Sequence, residues 1–160
     1  LPGVMTTGAM QTLWRSYRVL PGKRVLIVGN GPLNLQVACE LAAAGGEVVA
    51  VGEASPNAGW RDALALAAAD PTLAIKGASY LAALMRRRVP VLHATVLTRI
   101  VRADSGALRA TLRGPRGETA VEADAIALGY GFLPSHETLR ALGAEVSFDA
   151  ARGQFVPIRD

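Results

Sequence analysis

The chemistry in this 160-residue chain is concentrated in the turn Gly29-Asn30-Gly31-Pro32-Leu33-Asn34 and in the carboxylate of Glu53. Gly29 permits a tight turn. Gly31 lets the main chain come close to a diphosphate at a helix N-terminus, where unpaired N–H groups and the helix dipole favour an anion. Asn30 lies between them. Pro32 has no N–H to offer, so Leu33 and Asn34 are the nearest further donors. Glu53 follows Gly29 by 24 residues, a spacing at which an acid ending the next strand accepts hydrogen bonds from a ribose diol. These residues predict a site for a dinucleotide or another adenosine nucleotide. Asn34 stands where the usual pattern has its third glycine, whose role is close packing of helix on strand. Its side chain is therefore expected to hold the helix outward and weaken binding, and a scaffold that has lost tight binding stays open as a reading.

Such a site needs a strand, a turn, a helix and a second strand in that order, and the flanking sequence supplies them. Arg24 to Val28 is a β-branched apolar run without alternation, as expected of a strand covered on both faces. Leu33, Val37 and Leu41 recur at helical spacing between Pro32, suited to a first turn, and Gly45-Gly46, suited to an end. Val48 to Val51 is the next buried strand. Residues 57–88 read as helical in two pieces, interrupted at Asp70-Pro71. Val91 to Ala94 resembles a further strand. Val96 to Ala103, Leu108 to Leu112 and Thr119 to Val121 then form a small antiparallel meander, and Ala125 to Leu128 is one more buried strand. Thr6-Thr7 caps a short helix through Trp14 that Pro21-Gly22 ends. The predicted class is α/β: a Rossmann-like parallel sheet with helices on both faces and a small antiparallel β-meander.

Composition removes several alternatives. Cys39 is the single cysteine, so no internal disulfide, cysteine metal cluster or paired redox thiol forms within this chain. The net charge of +4 peaks at Arg86-Arg87-Arg88, which reads as the cationic end of a helix. No aromatics alternate with those arginines to stack on bases, so nucleic acid is not an expected partner. His93 and His136 have no neighbouring ligand set, and Asp62 and Asp70 no converging partner, so no metal site and no catalytic residue are assigned. A short-chain dehydrogenase would need Tyr-x-x-x-Lys, but Leu84 follows Tyr80 at that distance. A methyltransferase loop would prefer glycine where Leu33 stands and leaves the meander unexplained. No apolar run reaches the roughly 20 residues of a membrane span, and a cytoplasmic location is expected. Both ends read as the interior of a longer chain.

The glycine turn, the meander and the closing segment from Asp124 to Pro134 resemble the pyridine-nucleotide domain of flavoprotein disulfide-reductase-like oxidoreductases. More closely, LPGVMTTGAMQTL, LPGKRVLIVGNGPLNLQVA, GASYLAAL and LGYGFLPSHETLRALG resemble the FAD-containing subunits of opine oxidases, hydrogen cyanide synthase and dye-linked proline dehydrogenases. The resemblance covers nearly the whole chain. It implies a lead-in over 1–22 from an FAD domain, a nucleotide-binding domain over 23–133, and a return segment over 134–160. Gly129 and Pro134 match the closing motif. Gly129 and Gly131 are then expected near the nicotinamide of NAD, with Gly29, Asn30, Gly31, Leu33 and Asn34 at the diphosphate and Glu53 at the adenine ribose. FAD is expected on flanking segments, and the expected partners are this domain's own FAD domain and a second oxidoreductase subunit. The resemblance implies part of an FAD-dependent oxidoreductase, inactive as this piece alone. An adenine-nucleotide module, holding ATP or NAD without turnover, is the alternative.

Overall fold

A computed structural model describes residues 1–57, 59–132, 135–151 and 153–158. The chain opens with β1 (Val4–Thr6) and α1 (Thr7–Tyr17), followed by β2 (Arg24–Gly29), α2 (Pro32–Ala43) and β3 (Glu47–Glu53). Two helices, α3 (Trp60–Ala69) and α4 (Pro71–Arg86), lead to the short β4 (Val91–Leu92). β5 (Val96–Arg102), β6 (Leu108–Gly114) and β7 (Gly117–Ala123) form the meander, and β8 (Ala125–Gly129) returns to the main sheet. Local chemistry sets the boundaries. Thr6 caps α1 by accepting from the Ala9 N–H, Asp70 caps α4 by accepting from Leu73, and Asp62 accepts from the Gly59 N–H at the start of α3. The two aspartates of residues 57–88 are thus helix-start groups, and Pro71 begins α4 where the sequence predicted a break.

The five main strands are all parallel, in the order β1-β8-β2-β3-β4. The chain runs outward from β2 through β3 to β4 and returns on the other side through β8, so the order reverses between β2 and β8. In an open parallel sheet the carboxyl ends flanking such a reversal form the ligand crevice. Alternation along β2 separates two cores. Val25 and Ile27 meet Met10 of α1, Val37 and Leu41 of α2 and Leu84 of α4. Leu26 and Val28 meet Leu108, Ala110 and Leu112 of β6.

The Rossmann-like class stands, with one correction to the expected layers. The helices packed in the core, α1, α2 and α4, share one face of the sheet, and the meander covers the other. The physical reason is the period-two pattern of β6, whose Leu108, Ala110 and Leu112 point inward and supply the apolar surface a second helical layer would have given. Residues 1–22, read as a lead-in, contribute the edge strand β1, which pairs with β8, and the fully buried Met10. Trp14 packs against the helix-side core, with the Arg18 guanidinium 5.5 Å above its ring.

Residues 1–130 form one compact unit and residues 131–160 a second. The second contains α5 (Glu137–Ala141) and the antiparallel pair β9 (Val146–Asp149) and β10 (Gln154–Pro157). Phe148 meets Phe155 edge-on and His136 meets it at a tilt there. Pro134 of the closing motif and Arg159-Asp160 at the end of the return segment lie outside the described residues.

Candidate functional site

Each strand of the main sheet delivers a polar or glycine group to its carboxyl end. β1 leads to Thr7, β2 to Gly29, Asn30, Gly31 and Asn34, β3 to Glu53, β4 to Thr95, and β8 to Gly129. Thr7, Asn34, Glu53 and Thr95 are the buried polar side chains among the described residues. Buried polar groups are costly unless bonded, and the bonds of these four define the site.

Gly29 and Gly129 face each other in register across β2 and β8. A Cβ on Gly29 would overlap the Gly129 carbonyl, and one on Gly129 would overlap the Asn34 amide and lie 2.5 Å from the Thr7 hydroxyl. Glycine is required at both positions by close approach. The Gly129 carbonyl accepts the Asn30 N–H at 2.8 Å and the Asn34 Nδ2–H at 2.9 Å. The Asn34 Oδ1 in turn accepts the Thr7 hydroxyl at 2.9 Å. The side chain expected to wedge the helix outward is instead turned in, where its amide ties the starts of α1 and α2 to the end of β8. At the third glycine position, hydrogen bonding does here what close packing does elsewhere.

Glu53 is 7% exposed and lies across the start of α2. Its Oε2 accepts the Gly31 N–H at 3.0 Å and its Oε1 accepts the Ser55 N–H at 3.1 Å. Gly31 has a φ of +105°, a conformation that L side chains rarely adopt, and a Cβ there would enter open space. The Asn30 side-chain carbonyl accepts the Ser55 hydroxyl at 2.6 Å, joining the two strand exits. The structure therefore brings together Gly29, Asn30, Gly31, Asn34, Glu53 and Gly129, with the half-buried Leu33 in the first turn of α2. Gly131 opens the second compact unit and is described with it.

Sequence reasoning did not single out Thr7, Ser55 or Thr95 for this site. Thr7 offered a faint signal, a second hydroxyl directly after the capping Thr6 at the end of a strand. Thr95 offered none, because its place beside Glu53 follows from the pairing of β3 with β4, with its N–H on the Glu53 carbonyl. Cys39 is half-buried on α2 with its sulfur 3.5 Å from the Tyr80 carbonyl. Burial pushes its thiol up, which suits a packing role.

A parallel sheet reversing at β2, a glycine turn opening α2 and an acid ending β3 define a Rossmann-like fold of the oxidoreductase type. No family model matches the chain. Over 165 aligned residues it is 32% identical to an opine oxidase subunit from Rhizobium meliloti (strain 1021), covering 100% of this chain and 36% of that protein. Over 158 residues it is 34% identical to hydrogen cyanide synthase subunit HcnB of Pseudomonas aeruginosa, covering 92% of this chain and 33% of that one. The resemblance read from the motifs to these two kinds of protein is borne out, and the chain is their homologue over about a third of their length. In fold it matches thioredoxin reductase from T. acidophilum with a TM-score of 0.59 at 17% identity, covering 96% of this chain and 48% of that one. No described helix is long and apolar enough to cross a membrane.

Proposed function

We propose that this chain is the NAD(H)-binding domain of an FAD-dependent pyridine-nucleotide oxidoreductase, presenting nicotinamide to a flavin held by flanking segments. The observation that carries the reading is the Glu53 carboxylate lying 3.0 Å from the Gly31 N–H at the carboxyl end of neighbouring parallel strands. One group recognises a ribose diol and the other a diphosphate, so a bound nucleotide replaces the bond that joins them. The open space at the Gly31 Cβ position favours close approach of a ligand to the main chain. Gly29, Asn30, Gly31, Leu33 and Asn34 build the diphosphate side, Glu53 holds the adenine ribose, and Gly129 and Gly131 line the nicotinamide end. When bound, NAD(H) supplies a hydride donor or acceptor. This chain's residues bind and orient it, and alone they catalyse no redox turnover. The reading takes residues 23–133 as the nucleotide domain and 1–22 and 134–160 as the segments leading to the FAD domain. A second oxidoreductase subunit is a further partner.

A second reading is favoured by the bonds at β8. The Gly129 carbonyl already accepts from both Asn30 and Asn34, so the half of the crevice assigned to nicotinamide has its main acceptor engaged. An adenine nucleotide held as a structural or regulatory ligand uses only Gly31 and Glu53. The full-length protein separates the readings. Anaerobic NADH is expected to bleach its flavin under the first, whereas the second predicts that ATP raises the melting temperature and NADH leaves the flavin oxidised. Calorimetric titration that detects neither NAD nor ATP would overturn both.

A further inference from the structure

α3 is an apolar helix that the fold leaves largely uncovered. Seven of the nine residues from Arg61 to Ala69 are alanine or leucine, and all nine are exposed, Leu64 at 60%. A helix that is apolar on nearly every side is ordinarily buried. Asp70 both ends α3 and caps α4, and α4 adds an apolar stripe of its own. Ala74, Gly77, Tyr80, Leu81 and Leu84 turn toward the core, while Ile75, Ala78, Ser79 and Ala82 recur at helical spacing on the exposed side. Ile75 is 70% exposed.

The size of this surface bears on what covers it. α4, with 16 residues, is about 24 Å long and α3, with 10, about 15 Å, each about 10 Å across, so the two offer a face of roughly 400 Å². Soluble monomers rarely leave a larger apolar patch in contact with water. A face of this size suits weak, reversible association.

Its position points to a separate chain. β1 and β8, through which the proposed function joins this domain to an FAD domain, form the opposite edge of the sheet from β4. In the helical layer α1 packs on α2, α2 on α4 and α4 on α3, so α3 stands farthest from that junction. The surface also fits itself. α4 begins at Asp70 and ends in Arg86, Arg87 and Arg88, so two copies laid antiparallel set acid against base at both ends and oppose their helix dipoles. A twofold axis between Ala78 and Ser79 pairs Ile75 with the partner's Ala82, a large side chain against a small one. A parallel arrangement would crowd two arginine runs together.

We propose that the α3–α4 face binds a second copy of this chain, through an isologous contact in which the two α4 helices pack antiparallel about Ala78 and Ser79 and the leucines of α3 are covered at its sides.

Sedimentation equilibrium of this chain is expected to show reversible growth to twice the monomer mass across the micromolar range. Ile75→Glu and Leu64→Glu are expected to weaken that association at least about tenfold, since each buries a charge in the contact. Both positions are exposed in the monomer, so the melting temperature of dilute protein is expected to stay the same. Ser79→Cys, beside the axis, is expected to oxidise to a symmetric disulfide dimer, whereas Thr72→Cys, near one end of α4, is not. Cys39 is half-buried with its thiol pushed up and stays out of the exchange. A parent chain that is monomeric throughout, association untouched by both glutamates, or Thr72→Cys coupling as readily as Ser79→Cys overturns the proposal. In the full-length protein Ser79→Cys is expected to give the same symmetric link. An introduced thiol that joins no second copy there, whether shielded by the rest of the chain or open to alkylation, overturns it as well.

Discussion

The two ends of the parallel sheet are built on different terms. At the amino ends of β3 and β4 an open groove of about 600 Å³ runs past Gly45, Gly46, Glu47, Arg87 and Arg88, yet the buried polar side chains among the described residues, Thr7, Asn34, Glu53 and Thr95, all gather at the carboxyl end. Arg87 is committed to the Ala42 carbonyl at the end of α2, a different helix from α4, whose own last turn carries Arg86 as the arginine run predicted. Cavity size and buried polarity thus point to opposite ends, and the second is the better guide. A groove between helix end and strand start arises wherever elements of unequal length meet, whereas burying a carboxylate and an amide costs stability unless something fixed is gained.

The largest test of that contrast removes Asn34. Asn34→Gly leaves the Thr7 hydroxyl buried without its acceptor, at about 1–3 kcal/mol, and places glycine in a helix at up to about 1 kcal/mol. The melting temperature is expected to fall by roughly 2–16 °C, at about 2–4 °C per kcal/mol for a chain of this size. The sequence alone predicts tighter nucleotide binding from this change, by relief of crowding. With the amide anchoring the turn to Gly129, weaker binding is expected instead. Thr7→Val is expected to cost less in the Asn34→Gly background than in the parent. Additive losses in thermal melts would show that the two side chains act separately.

Next in size is the discrimination between nucleotides. On the proposed reading a 2′-phosphate meets the Glu53 carboxylate, and Ala54-Ser55-Pro56 offer no cation, so NAD is expected to bind at least about tenfold more tightly than NADP, and Glu53→Ala to erase most of the difference. At the opposite end, Arg88 has a φ of +58°. Arg88→Gly is expected to stabilise the fold by up to about 1 kcal/mol through relief of that conformation and to leave NAD affinity untouched. Loss of NAD binding in Arg88→Gly would break the comparison and move the site to the larger groove.

What the sequence disclosed follows the range of the interactions involved. β2, α2, β3 and the two-piece helix broken at Pro71 are written in local periodicity, caps and breakers, and each lies within a few residues of its expected bounds. The glycine turn and Glu53 were legible because their spacing is set by one β-α-β unit. β1 escaped notice, as three residues give no period and its place beside β8 is fixed by a partner more than a hundred residues away. The inward turn of Asn34 was illegible for the same reason: Thr7 and Gly129, the groups it bonds, are 27 residues before it and 95 after. The meander was legible as strands, but its position over the sheet depended on which alternate residues faced inward.

The smallest expected effect concerns how α1 is held on α2, away from the polar carboxyl edge. Burial pushes the Glu40 carboxyl up, but hydrogen bonds from Arg15, Gln36 and Gln11 and the Arg15 charge together hold it below its ordinary value of 4.5. A carboxylate whose folded pKa is lowered adds stability that is present above its unfolded pKa and lost as pH falls through the folded one. The contribution of the Arg15 pair is therefore expected at neutral pH and absent well below pH 4.5. Arg15 is 54% exposed, so solvent screening keeps the contribution of the pair small. Urea denaturation midpoints of the parent chain and Glu40→Gln should differ slightly at pH 7 and converge on acidification, while the Thr7 and Asn34 coupling, which involves no titrating group, persists. A coupling between Thr7 and Asn34 that disappeared over the same pH range would mean that the two helix starts are held by charge instead of by the buried amide.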